Sequence, residues 1–262
     1  GMDRTHNPEF TSMEIYVAYK DYIWMMDMVE ECLEKVAIAI HGQSIVRVGE
    51  YEIDFSGPYE KLSMYESINK YTGVDVSEMD EEALRQICKN LGVDIDETMG
   101  RGKLIDELFS EKVEAHLIQP TYITDYPIEM TPLAKKHRRK EGLVERFELF
   151  VMGKEIANAY SELNDPIDQR QRFEEQILLA NRGDEEAMAM DEDFLRALEY
   201  GMPPTSGLGI GIDRLVMLMT NQSTIQEVLF FPQMRPEKKA KVATLEDFVA
   251  IGIPSEWVPV IN

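Results

Sequence analysis

Apolar residues follow two rhythms along this chain. From Phe10 to Tyr19, Met13, Ile15 and Val17 alternate with Ser12, Glu14, Tyr16 and Ala18, the period of two that turns successive side chains to opposite faces of a strand. From Asp21 to Ile40 the spacing lengthens. Met25, Met28, Val29, Cys32, Leu33, Val36 and Ile40 recur at helical intervals, and Gly42 stands at the position of a C-terminal cap. Residues 43–60 read as a hairpin with apolar Val46, Val48, Tyr51, Ile53 and Phe55, stopped by Gly57-Pro58. Two acidic helices follow. One opens near Asp80, and the other runs from Lys103 to His116 with Leu104, Ile105, Leu108, Phe109 and Val113 on one side.

Strand patterns then return at Leu117–Tyr122, Phe147–Met152 and Glu155–Leu163, the last two joined by a tight turn at Gly153-Lys154. Helices are predicted over Asp165–Ala180 and Glu192–Tyr200. After Pro203-Pro204 come a glycine-spaced strand, Gly207–Ile212, and a helix opened by Asp213 and Arg214. Strands do not alternate regularly with helices and no solenoid period appears, so the expected class is α+β, a mainly antiparallel sheet flanked by helices. The expected organisation is one domain over 1–236 with a helical insertion at about 78–116, then a C-terminal extension, 237–262, with a short helix capped by Thr244.

Composition narrows the partners. With 27 Lys plus Arg against 49 Asp plus Glu, the chain carries a formal charge of −22, which repels a polyphosphate backbone. The basic run Lys135, Lys136, His137, Arg138, Arg139 and Lys140 reads as a solvated loop. Cys32 and Cys88 are too few for a disulfide framework and read as helical core residues in a reducing compartment. No stretch reaches the roughly 18 apolar residues of a membrane span and no cleavable leader is recognisable, so a cytoplasmic protein is expected. The opening Gly1-Met2 reads as a scar at the front of a cloned segment of a longer reading frame.

Candidate chemistry lies on the strands. Alternation puts Glu14 and Tyr16 on one face of the first strand, and a carboxylate beside a phenol can hold an ammonium group; taken alone, Glu14 reads first as an exposed strand acid. In the later hairpin, Glu148 on one strand and Asn158, Tyr160 and Glu162 on the other point to a common surface. Glu155 is out of phase with Asn158 and reaches that surface only through a bulge or at the turn. Glu148 and Glu155 together suit Mg²⁺, a hard cation held by one or two carboxylates with substrate phosphates. Gly207, Gly209 and Gly211 leave one side of their strand bare for a flat ligand or a closely packed backbone. Arg214 falls in the first turn of the next helix, where an anion is favoured. The four histidines, His6, His41, His116 and His137, are scattered and give histidine acid–base catalysis little support.

Three blocks together resemble a known family. His6-Asn7-Pro8-Glu9-Phe10-Thr11 with Met13-Glu14-Ile15-Tyr16 resembles the second half of motif 2 of class II lysyl-tRNA synthetases. Arg146–Phe150 with Lys154–Asp165 resembles their catalytic hairpin, and Gly207–Arg214 is similar to motif 3. The resemblance implies the catalytic core of such an enzyme, and with it ATP-dependent formation of lysyl-adenylate and transfer of lysine to tRNA by a homodimer. It also implies roles. His6, Asn7, Phe10, Gly207, Gly209, Gly211 and Arg214 would meet ATP, with Phe10 on adenine and Arg214 the catalytic arginine on the γ-phosphate side. Glu14, Tyr16, Asn158, Tyr160 and Glu162 would hold lysine, and Glu148 and Glu155 would hold Mg²⁺.

Departures from the family pattern set further expectations. The motif 2 arginine, motif 1 and the anticodon-binding barrel are not in this sequence, so the chain alone is expected to be inactive and tRNA to be held mostly by the missing N-terminal part. Two other readings stand beside this one: a non-catalytic module binding an amino acid or a protein, and a paralogue that attaches lysine to a protein.

Overall fold

The computed structural model describes residues 3–181, 183 and 187–233. Its main sheet has six strands in the order β1 (Ser12–Ala18), β8 (Thr205–Gly211), β7 (Lys154–Ser161), β6 (Arg146–Val151), β5 (Thr121–Thr124) and β4 (Glu60–Ser63). All neighbours are antiparallel except β4 and β5. The α+β expectation holds. The expected hairpin is a separate two-stranded sheet, β2 (Ile45–Val48) and β3 (Tyr51–Asp54).

Helix α1 (Tyr22–His41) covers one face of the main sheet. Its register is set at both ends: the Asp21 carboxylate accepts from the Trp24 N–H at 3.1 Å, and Gly42 closes the helix at φ 74°, a left-handed conformation that costs glycine little. Between these caps Met25, Val29, Leu33 and Ala37 recur every fourth residue. They bury against the core that holds Phe147, Leu149, Ala157, Ala159, Leu208 and Ile210, each large side chain contributing roughly 1.5–3 kcal/mol. The Tyr122 hydroxyl donates to the Met26 carbonyl at 2.9 Å and ties the helix to β5.

A second core forms with the helical segment. Helices α2 (Met64–Thr72), α3 (Glu81–Asn90) and α4 (Arg101–Lys112) bury Ile68, Leu84, Leu104, Leu108 and Phe109 with Ile123 and Phe150 from the sheet. Ile123 pairs with Glu148 across the strands, so these helices cover the β4–β6 end of the face that carries Glu148. The face is left bare toward β1, β8 and β7. Helices α5 (Pro166–Asn181) and α6 (Glu192–Glu199) precede β8, and α7 (Ile212–Met219) follows it.

Several expectations are corrected. Strand β4 and helix α2 were not foreseen, and the third strand pattern begins at Thr121 rather than Leu117. The Lys135–Lys140 run is exposed as expected at Lys136, Arg138, Arg139 and Lys140, but several of its charges are paired. His137 is buried with Nε2 3.6 Å from Asp125, the Lys140 ammonium pairs with the other Asp125 oxygen at 2.5 Å, and Arg138 bridges Asp21 and buried Glu145. Cys88 is buried as expected, but Cys32 is only half-buried. Among the described residues no helix is long and apolar enough to cross a membrane. Contacts divide the chain into Gly1–Leu229 and Phe230–Asn262; the helix expected at Thr244 lies outside the described residues.

Candidate functional site

Strand register assembles the site in two rows across the sheet. Glu14 on β1 pairs with Gly209, Gly209 with Asn158, and Asn158 with Glu148. One step along, Tyr16 pairs with Gly207, Gly207 with Tyr160, and Tyr160 with Arg146. A glycine at the centre of each row leaves a trough over β8. The trough is used: a Cβ on Gly207 would stand 2.0 Å from Glu162 Oε1 and 2.9 Å from the Tyr16 ring, whereas one on Gly209 would meet only the Asn158 carbonyl at 4.0 Å. Gly207, expected with the nucleotide, is thus placed under the Tyr16 and Glu162 side chains instead.

Tyr16, Glu14 and Glu162 converge there. The Tyr16 hydroxyl donates to Glu14 at 3.2 Å. Burial, then that hydrogen bond and the charges of Glu14 and Glu162, raise the phenol above its ordinary value. Burial alone pushes the Glu162 carboxyl up to about 7, because a carboxylate taken out of water is disfavoured.

Glu155 joins through a bulge. Leu149 pairs with Ala157 but Phe150 pairs with Glu155, leaving Ile156 as the extra residue. The bulge restores Glu155 to the face of Asn158 and Glu148. Burial, and next the charge of Glu148, raise the Glu155 carboxyl well above the glutamate range. Asp106 and Glu114, from α4 and the turn after it, are only partly buried and also feel the charge of Glu148. Glu148 itself is held at both oxygens, by Arg146 and by the Tyr126 hydroxyl at 2.8 Å.

A cavity of about 300 Å³ opens beside Glu155, lined by His6, Asn7, Phe10, Asn158, Gly209, Gly211, Asp213 and Arg214 among others. Phe10 offers an aromatic face there that is 66% exposed. Asn7 is buried with its amide donating to the Glu9 carbonyl at 2.6 Å and its Oδ1 without a partner. Arg214 donates through Nη1 to the Glu155 carbonyl at 2.9 Å and approaches its carboxylate at 3.8 Å, and its Nη2 lies 3.1 Å from His6 Nε2. Because a guanidinium only donates, His6 Nε2 accepts, and its Nδ1–H donates to Asp3 at 2.7 Å. Glu148 lines a neighbouring cavity of about 640 Å³ between α4 and α5.

Over residues 1–235 the sequence matches the family described as tRNA synthetases class II (D, K and N). The chain belongs to this family. It is 64% identical to the lysine–tRNA ligase of Porphyromonas gingivalis over 262 residues, which is 100% of this chain and 45% of that protein. It is 63% identical over 240 residues to that of Christiangramia forsetii and 59% identical over 238 residues to that of Azobacteroides pseudotrichonymphae. These alignments cover 42% and 48% of the two relatives, so the chain spans about half the length of the curated proteins it matches.

Within this synthetase fold, several residues beside the site escaped the sequence reading. Arg146 and Tyr126 hold Glu148; Arg146 stands two residues before it, on the same face by alternation, and that signal was present. Asp213 accepts from the Thr11 N–H at 2.5 Å and pins the entry of β1 to α7. Asp3 accepts from the Thr5 and His6 N–H groups at 2.7 and 2.8 Å, and nothing in its spacing announced that.

Proposed function

We propose that the protein containing this chain activates lysine with ATP to lysyl-adenylate and transfers the lysyl group to the 3′ end of tRNA. One observation carries this reading: two carboxylates, Glu14 and Glu162, meet beside Tyr16 over Gly207, on the same sheet face as a cavity holding an exposed aromatic ring, a histidine and an arginine. The printed names of relatives 59–64% identical to the chain agree.

In this reading Glu14, Tyr16, Asn158, Tyr160 and Glu162 hold lysine, the carboxylates answering its two ammonium groups. Half-buried Glu162 also disfavours neutral analogues, which would leave it unpaired. Phe10 stacks on adenine, His6, Asn7, Gly209 and Gly211 line the nucleotide, and Arg214 neutralises charge on the phosphates. The lysine carboxylate oxygen attacks the α-phosphorus, the bond to the bridging oxygen breaks, and pyrophosphate leaves with the electron pair. No proton has to be removed from the nucleophile, so positioning and charge neutralisation suffice.

The bulge sets Glu155 on the face of Glu148, and burial, then the charges of Glu148 and Glu114, raise Glu155, an arrangement of hard oxygen donors that a divalent cation would relieve. Mg²⁺ held by Glu148 and Glu155 would supply charge neutralisation for the triphosphate. The protein is further proposed to be a cytoplasmic homodimer that contacts tRNA largely outside this acidic chain.

The test is lysine-dependent ATP–pyrophosphate exchange by the full-length protein beside this chain alone. Exchange by the full-length protein only is expected. Absence of lysine-dependent exchange in the full-length protein overturns the function, and exchange by this chain alone overturns the expectation that it is inactive.

A further inference from the structure

We infer that Arg146 is a positioning residue that fixes which end of the Asn158 amide faces the substrates. The inference rests on the lysine-activating function proposed above. Arg146 opens β6 on the site face, with its side chain only 13% exposed. Its guanidinium makes three contacts. One nitrogen pairs with Glu148 Oε1, Nε donates to Asn158 Oδ1 at 3.1 Å, and the group lies 4.4 Å from the centre of the Tyr126 ring. The Tyr126 hydroxyl donates to the other Glu148 oxygen at 2.8 Å, so ring and carboxylate hold the arginine in one orientation.

The polarity follows from chemistry. Arginine has five donors and no acceptor, so the Asn158 atom that meets it is the oxygen. The amide NH₂ is therefore turned away from Arg146. Asn158 also lines the cavity with Phe10, Glu155 and Arg214, where a donor meets a substrate carboxylate or phosphate oxygen favourably and an amide oxygen would repel it. Freed from Arg146, the amide can rotate by half a turn and present either end. A lysine at this position keeps the charge beside Glu148, but its single ammonium lacks the planar fork that serves a carboxylate and an amide together.

The experiment is calorimetric titration of the full-length protein with lysine, comparing wild type, Arg146→Lys, Asn158→Ala and the double variant. Each single change is expected to weaken lysine binding about tenfold, with the double variant no weaker than Asn158→Ala, because Arg146 acts through that amide. Losses that multiply in the double variant would overturn the inference. Asn158→Asp keeps an oxygen for Arg146 and replaces the NH₂ with a second oxygen. It is expected to unfold at the wild-type temperature yet lose lysine affinity at least tenfold, a pattern that general damage to the fold does not produce. Undiminished affinity in Asn158→Asp overturns the inference, and this variant decides alone if Arg146→Lys fails to fold. A wild-type protein that binds no lysine overturns the proposed function and this inference with it, whereas multiplicative losses overturn the inference only.

Discussion

Replacing Glu162 with glutamine should move stability and lysine binding in opposite directions. Burial holds the Glu162 carboxyl at about 7 against an ordinary 4.5. A carboxyl raised on folding adds no penalty below its unfolded value; the penalty grows between 4.5 and 7 and is complete above that range. A shift of this size corresponds to about 3 kcal/mol at pH 8, since each pKa unit is worth about 1.4 kcal/mol. Glutamine has almost the same shape and no charge to desolvate, so Glu162→Gln is expected to stabilise the ligand-free protein at pH 8 by up to about that amount, and to have little effect near pH 4.5. Lysine binding should suffer, because the substituted site loses a charge-assisted hydrogen bond worth roughly 1.5–3 kcal/mol, or about 10- to 150-fold in affinity. Urea denaturation at both pH values and calorimetric titration with lysine, each on the full-length protein, read the two effects. A variant that is less stable than wild type at pH 8, or that binds lysine as tightly, would refute the reasoning.

Three further outcomes are expected. Lysine affinity of the wild type should fall about tenfold per pH unit below 7, because the ammonium needs Glu162 ionised, and binding near pH 7 should release more heat in buffers of large ionisation enthalpy, which take up the proton that Glu162 loses; a pH-independent constant from 5.5 to 8 would contradict this. Gly207→Ala forces Glu162 and Tyr16 aside and should weaken lysine binding at least tenfold, while Gly209→Ala, whose Cβ meets nothing closer than 4.0 Å, should leave lysine binding and folding nearly unchanged but obstruct ATP, both measurable by calorimetry. Asp21→Ala removes the N-cap of α1 and one of the two partners of Arg138, and should lower stability by about 1–2 kcal/mol in denaturant titration.

Much of the site was legible because it is written in alternation. Glu14 and Tyr16, or Asn158, Tyr160 and Glu162, share a face by counting twos, and that count needs no tertiary information. Glu155 broke the count and could be placed only by the bulge at Ile156, a backbone irregularity that residue types do not announce. Strand β4 was missed because Glu60–Ser63 is short and pairs in parallel with a strand about 60 residues later. Helix α2 carried a readable capping box, Ser63 with Glu66, that the apolar spacing overshadowed. In the Lys135–Lys140 run the charges indicate the exposure of Lys136, Arg138, Arg139 and Lys140, whereas the pairing of Arg138 and Lys140 with Asp21, Glu145 and Asp125 depends on residues whose approach only the fold supplies.

The bulge also divides β7 into two independent phases. Beyond it, Asn158, Tyr160 and Glu162 keep time with β8; before it, Glu155 and the turn at Gly153 keep time with β6 alone, since the β7–β8 pairing starts at Ala157. The hairpin tip is therefore free to change length or sequence without rotating Asn158, Tyr160 and Glu162, and a single deletion at Ile156 would remove the extra residue and leave Glu155 beside Ala157, on the Asn158 face by plain alternation.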